Sequence, residues 1–352
     1  MKPLAGQVAV VAGATRGGGR GIARMLGEAG ATVYCTGRSS RAQPNTSDHH
    51  YAGRPETIEE TAELVTAAGG RGVAVRVDHT VADEVAGLFK RVKREEKRLD
   101  ILVNILTGSP VKDWQPFWKL DVDAGREMVN GWVWPHVVTC RHAVPLMLER
   151  KSGLVVEVVE QDTIGYHGQF FFDLFELTLK RLAHNLAEEL APHGVSAVAV
   201  TPGFMRTEAI MEQFGATEEN WREVAETNKQ ARGYGFAGSE TPCFVGRAVA
   251  ALAADPELAR KSGGVYSSWG LSEEYGFTDI DGARPHLGNY FAEHFPQLWN
   301  RRPRACFEWK LAPVAQEEKT ERRRTAKAKR RKSESDAPRT GGKKREHAGS
   351  AR

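Results

Sequence analysis

The chain of 352 residues contains no apolar run close to the ~20 residues that a membrane-spanning helix needs. Its first apolar run, Val8 to Ala12, is too short for the core of a signal peptide, so a cytoplasmic protein with no membrane partner is expected. Cysteine is scarce. Cys35, Cys140, Cys243 and Cys306 are scattered, with neither a CxxC pair nor a grouping with histidine, which leaves no pattern for a disulfide framework or a zinc site. Reduced, mostly buried thiols and no metal are expected. No segment repeats, and a chain that is 41% hydrophobic and 27% charged excludes a disordered or fibrous protein.

The formal net charge of +4 averages two unlike parts. Residues 317–352 hold 14 Lys/Arg against 6 Asp/Glu, and the remainder holds 35 against 39. The tail carries Arg322-Arg323-Arg324 and Lys329-Arg330-Arg331-Lys332 without a large apolar residue, so it is expected to be disordered. Its charge suits a polyanion such as nucleic acid, but no aromatic residue is present for base stacking, and a solvated extension is the favoured reading. Residues 283–316 are aromatic and proline-rich without clear period and read as a C-terminal extension wrapping the domain of residues 1–282.

Within residues 1–282, short Val/Ile-rich runs alternate with helix-period segments, the spacing of βαβ units and of a parallel sheet covered on both faces. Seven strands are expected: Val8–Val11, Thr32–Cys35, Val73–Val77, Ile101–Val103, Leu154–Val159, Ser196–Val200 and Val265–Ser267. This is an α/β fold, a Rossmann-type doubly wound parallel sheet in a single domain. One helix is especially legible: Phe175, Leu179, Leu182, Leu186 and Leu190 form one stripe, stopped by Pro192, His193 and Gly194.

After the first strand comes Gly13-Ala14-Thr15-Arg16-Gly17-Gly18-Gly19, leading into a helix carrying Ile22, Met25, Leu26 and Ala29. Glycines allow close backbone approach to a pyrophosphate, and the helix N-terminus offers free amides and a partial positive charge to it. The spacing of Gly13, Gly17 and Gly19 is GxxxGxG rather than GxGxxG, and it resembles the short-chain dehydrogenase/reductase family. Further positions continue the likeness. Asp78 follows the third strand where the family has an adenine-contacting Asp. Asn104 matches the start of its NNAG element, whose remainder is Ile105-Leu106-Thr107 here. Thr201-Pro202-Gly203-Phe204-Met205-Arg206-Thr207 resembles its nicotinamide-facing PG motif, and Glu274 to Gly282 (EYGFTDIDG) resembles a subgroup similar to dehydrogenase/reductase family member 1.

The resemblance implies a dinucleotide site formed by Gly13, Thr15, Arg16, Gly17, Gly19, Asp78, Asn104, Pro202, Gly203 and Thr207. NAD sites usually place an acid at the end of the second strand, where Cys35-Thr36-Gly37-Arg38 stands here; Arg38, helped by Arg16, suits a 2′-phosphate, so NADP is expected rather than NAD. The family's proton chemistry uses a Tyr, a Lys four residues later, a Ser about 13 residues before and an upstream Asn. Counting back from Ala191-Pro192-His193-Gly194 places these at Phe172, Glu176, Val159 and Trp132, with Asn130 two residues from the last. None of the four is the family's residue. Phenylalanine has no ionisable hydrogen, and Glu176 reverses the charge of the lysine.

Two readings of this stretch are open. In one, Phe170, Phe171, Phe172 and Phe175 fill an apolar gap while Glu176 pairs with Lys180 on a solvated helix face; in the other, Phe172 and Glu176 line the old site and do different work. Tyr166 and His167 are the candidate substitute proton donors, with Glu160 and Asp173 nearby in sequence. Trp114, Phe117, Trp118, Phe204, Met205 and Trp221 are expected to form an apolar pocket wall.

The leading expectation is an oxidoreductase-like protein that binds NADP(H) with hydride transfer lost or strongly reduced. The alternatives are an active reductase with a relocated donor and a non-catalytic binding or scaffold protein with a polyanion-binding tail. A homo-oligomer is expected by resemblance, and the small-molecule substrate is not legible.

Overall fold

A computed structural model of the chain describes residues 2–44, 53–107, 113–160, 162 and 168–295. All seven expected strands are present: β1 (Val8–Ala12), β2 (Thr32–Gly37), β3 (Arg71–Arg76), β4 (Ile101–Asn104), β5 (Gly153–Val158), β6 (Val195–Thr201) and β7 (Val265–Ser267). They form one parallel sheet in the order β3-β2-β1-β4-β5-β6-β7. Strands such as Val8–Ala12 are apolar at every position because helices cover both faces, and β1 is buried throughout. The helices are α1 (Gly17–Glu28), α2 (Ile58–Ala67), α3 (Ala82–Glu96), α4 (Val122–Trp132), α5 (Trp134–Arg150), α6 (Phe170–Leu190), α7 (Glu208–Phe214), α8 (Trp221–Thr227), α9 (Lys229–Gly233), α10 (Pro242–Ala254), α11 (Ser268–Tyr275) and α12 (Leu287–His294). Helix α12 lies in the stretch read as aperiodic, and its Tyr290 packs on Gly238.

The strand order reverses between β1 and β4, and the crevice of an open parallel sheet lies outside the carboxyl ends of the strands at that point. Ala12 ends β1 in register with Asn104 and Thr36. Gly13 then turns at φ +95°, where a Cβ would stand 2.2 Å from the Ile105 carbonyl oxygen, so only glycine lets the two strand ends approach. Two further devices shape the crevice. Pro135 has no amide to give the Gly131 carbonyl, which breaks one long helix into α4 and α5 and brings both residues to the crevice wall. Helix α1 is held from behind by α10, closely enough that a Cβ on Gly21 would meet the Pro242 carbonyl at 2.0 Å.

Helix α6 corrects the expected stripe. Its buried face runs through Phe175, Leu179, Ala183, Ala187 and Leu190 together with Glu176 and Lys180, whereas Leu182 and Leu186 are only partly buried. Among the described residues, Cys35, Cys140 and Cys243 are buried free thiols, as expected, and no helix is long and apolar enough to cross a membrane.

Gly21→Ala forces a backbone clash between α1 and α10. Chemical denaturation is expected to show a loss of about 2–3 kcal/mol, the scale of core overpacking; a loss below ~0.5 kcal/mol would contradict the close approach.

Candidate functional site

The crevice at the ends of β1 and β4 has a volume of about 340 Å³. Gly13, Thr15, Arg16, Gly17, Gly19, Arg38, Asp78 and Thr207 all line it, so most of the sequence-derived dinucleotide residues converge on one space. At its phosphate end stands the N-terminus of α1. That helix has no acidic residue in its first turn and no side-chain cap from Arg16; instead the Gly17 amide donates to Glu208 Oε2 at 2.9 Å. Beside it, Arg16 Nε lies 3.1 Å from Glu56, which also accepts from Arg54 at 2.7 Å. Burial pushes the Glu56 carboxyl up, but the two guanidinium groups more than offset this and hold it below its ordinary value. Arg38 is half-buried and has no carboxylate partner among the described residues. Asp78 accepts from the Thr80 amide at 2.9 Å and from its hydroxyl at 2.7 Å.

Asn104, Pro202 and Gly203 do not line the crevice. Asn104 is fully buried beneath it and donates to Glu157 Oε1 at 2.9 Å. Glu157 also accepts from the Cys140 thiol and is hydrogen-bonded to His136 Nδ1, and His136 Nε2 reaches the Leu106 carbonyl at 3.1 Å. A second chain runs from Thr36 through His79 to Thr139, with burial pushing the His79 imidazole down to about 3 and keeping it neutral. This polar layer beneath the crevice was not singled out from the sequence. Its signal is the acid within the run Leu154-Val155-Val156-Glu157-Val158-Val159, since an acid inside a buried parallel strand requires partners. Gly203 packs on Glu240, whose carboxyl burial pushes up to about 8. In the EYGFTDIDG stretch, Asp279 accepts from the Thr241 amide at 2.7 Å, and Asp281 lies 3.3 Å from Arg206, so those acids fix the chain that follows β6.

Of the four positions that counting along the sequence assigns to the family's catalytic residues, Trp132, Val159 and Phe172 come together in an apolar cluster. Trp132 stacks on Phe175 at 4.3 Å and meets Phe172 edge-on at 6.5 Å; Trp114 lies 6.5 Å from Phe172, and Val159 is buried in the same cluster. Asn130 instead lines a neighbouring hollow with Thr80 and Trp134. Glu176 corrects the expectation of a solvated face. It does lie near Lys180, with Oε2 3.9 Å from Nζ, but the two residues are only 3% and 1% exposed. The cause is the strand: Glu176 Oε2 accepts the Glu160 amide at 2.7 Å, which draws this face of α6 against the end of β5. Burial, and then the Glu160 charge, push the Glu176 carboxyl upward against the pull of Lys180, whose ammonium burial pushes downward. Tyr166 and His167 lie outside the described residues.

The expected pocket wall divides. Met205 lines the crevice. Phe204 and Trp221 instead pack with Phe214 and Phe236 in a separate cluster, where the Arg206 guanidinium lies 3.9 Å from the Trp221 ring. Trp114, Phe117 and Trp118 are largely exposed.

The family model described as short chain dehydrogenase matches residues 7–219. The chain belongs to the short-chain dehydrogenase/reductase family. It is 35% identical over 301 residues to Dehydrogenase/reductase SDR family member 1 of Mus musculus, covering 83% of this chain and 88% of that one. It is 33% identical over 286 residues to the Homo sapiens protein of the same name, covering 80% and 85%. A solved short chain dehydrogenase from Mycobacterium thermoresistibile superposes with a TM-score of 0.64 at 19% identity, covering 81% and 92%, and shows the shared fold. Short-chain dehydrogenases are oxidoreductases that bind a nicotinamide cofactor, NAD or NADP. The strand–glycine turn–helix in this member fits the phosphates of such a group, because Gly13 leaves the β1–α1 turn without a side chain and the α1 amide already engages an anionic oxygen.

A carboxyl with a raised folded-state pKa holds its proton in the folded protein after the unfolded chain has lost it, so stability falls as pH rises above the ordinary value of 4.5. Glu176→Gln removes this dependence. Denaturation across pH 4.5 to 8 is expected to show wild type losing stability relative to the variant as pH rises; a constant difference would contradict the burial of Glu176.

Proposed function

We propose that this short-chain dehydrogenase/reductase binds NADP(H) in the crevice between β1 and β4, and that carbonyl/alcohol hydride transfer is lost or strongly reduced in it. When bound, the cofactor supplies or accepts the hydride. What the chain must add is a proton at the substrate oxygen. The observation that carries the proposal is the state of Phe172: a ring without a hydroxyl, packed against Trp132 and Phe175 above a buried Glu176–Lys180 pair. No tyrosine lines the crevice among the described residues. Tyr34, Tyr266 and Tyr275 spend their hydroxyls elsewhere, on Glu95 and Glu96, the Lys261 carbonyl and Asp255.

Charge at the other end supports the choice of cofactor. Arg16 and Arg54 share Glu56, and Arg54 also pairs with Glu212, while Arg38, without a carboxylate partner among the described residues, lines the crevice just past the end of β2, where NAD sites usually carry an acid. A homo-oligomer is part of the same reading. Family members are often oligomeric, and exposed Leu174 and Leu177 on α6 with Trp134 on α5 support pairing through those helices; light scattering on the full chain tests it.

NADPH is expected to bind about 10- to 100-fold more tightly than NADH, and Arg38→Ala to remove most of the difference, the scale of one charge-assisted pair. Equal affinities in wild type would sink the NADP assignment. For the chemistry, Val159→Ser, Phe172→Tyr and Glu176→Lys must be combined with Lys180→Met, because the ammonium introduced by Glu176→Lys would otherwise stand against that of Lys180, two cations buried together. The four together are expected to create or raise NADPH-dependent carbonyl reduction; a folded, NADPH-binding quadruple variant with unchanged turnover would overturn the assignment of Phe172 and Glu176.

A further inference from the structure

The phosphate end of the crevice already holds an anion, and it belongs to the chain. Gly17, the first residue of α1, donates its amide to Glu208 Oε2 at 2.9 Å, and Arg20 Nη1 lies 3.4 Å from Glu208 Oε1. The partial positive charge of a 12-residue helix is thus met by a carboxylate 191 positions away. Glu208 opens α7, and its neighbours Thr207 and Ala209 line the crevice with it. One turn further, Glu212 pairs with Arg54 at 2.6 Å, the guanidinium that shares Glu56 with Arg16. Two carboxylates of one short helix therefore sit on groups that recognise phosphate oxygen by the same charge-assisted hydrogen bonds.

We propose that Glu208 is an internal competitor for the diphosphate of the dinucleotide and sets the affinity of the crevice for it. The proposal rests on the reading that the crevice takes a dinucleotide. The Gly17 amide has one hydrogen, so a phosphate oxygen gains it only when the Glu208 carboxylate leaves. Displacement also removes a negative charge from beside the incoming phosphates, so both effects act in one direction. Because Glu208 is the first residue of α7, the same event releases one tether of that helix. By reciprocity, whatever holds α7 down weakens cofactor binding by the factor that cofactor weakens the tether.

Calorimetric titration of the full chain tests this with two probes, NADPH and adenosine 2′-monophosphate, which lacks the diphosphate. The proteins are wild type, Glu208→Ala, Glu208→Gln and Glu223→Gln, the last removing an exposed acid on α8. Glu208→Ala is expected to tighten NADPH about tenfold, roughly one charge-assisted hydrogen bond no longer surrendered. Glu208→Gln, which keeps an acceptor without the charge, is expected to fall between. Adenosine 2′-monophosphate affinity and the Glu223→Gln protein are expected to be unchanged. Unchanged or weakened NADPH binding in Glu208→Ala, with wild type binding NADPH, overturns the competitor and leaves the dinucleotide reading standing. Equal tightening of both probes also overturns it, as a general charge effect. If neither wild type nor Glu208→Ala binds NADPH or NADH, the dinucleotide reading fails and the competitor fails with it.

Discussion

A carboxyl group and an amine buried together on one face of α6 constrain the chemical end of this molecule. Neither Glu176 nor Lys180 tolerates burial alone, since an isolated charge in an apolar setting costs several kcal/mol. Together, with the Glu160 amide on Glu176, they let α6 lie flat against the end of β5. That placement carries Phe172 into contact with Trp132 and Trp114. The residues at 132, 172, 176 and 180 are therefore one packing solution: Glu176→Lys alone would leave two buried cations, and Phe172→Tyr alone would need a partner for its hydroxyl among aromatic rings.

The two ends of the crevice differ in kind. At the phosphate end stand the turn at Gly13, the α1 N-terminus with Glu208 on its first amide, and the cluster of arginines, the groups on which the proposed recognition of a dinucleotide rests. At the other end the ring cluster of Trp132, Phe172 and Phe175 packs where the proposed reading places the family's proton chemistry. Between them runs the buried layer of Asn104, Glu157, His136 and Cys140, which ties β4, β5 and α5 together and grips the Leu106 carbonyl at the crevice edge. On the proposed reading the ligand-binding half is kept while the reactive half is rebuilt, because the two halves hang on different elements of the sheet.

Much of this was legible in the sequence. Buried parallel strands are continuous Val/Ile runs, and each of the seven was located within about two residues because that pattern has no competing interpretation here. The glycine turn was legible because a strand precedes it and a helix follows. What failed did so for identifiable reasons. Helical spacing showed that Glu176 and Lys180 share a face, but charge argued for the wrong one: burial depends on the Glu160 amide, a contact formed only when β5 and α6 meet. Phe204 and Trp221 were expected at a pocket because aromatic residues near a PG motif look alike whether they face a ligand or, as here, another ring, Phe236. Glu208 adjoins Thr207, yet nothing local reveals that its carboxylate caps a helix 191 positions away.

The proposed loss of hydride transfer rests on no group among the described residues delivering a proton where the family's tyrosine would. The most direct measurement follows a deuterium label from C4 of NADPH into a panel of aldehydes and ketones incubated with the full chain, with product alcohols read by mass spectrometry. The account predicts saturable NADPH binding with no labelled alcohol above the protein-free control, or only trace amounts. Labelled alcohol formed at turnover rates ordinary for an enzyme, ~1–10³ per second, would contradict it.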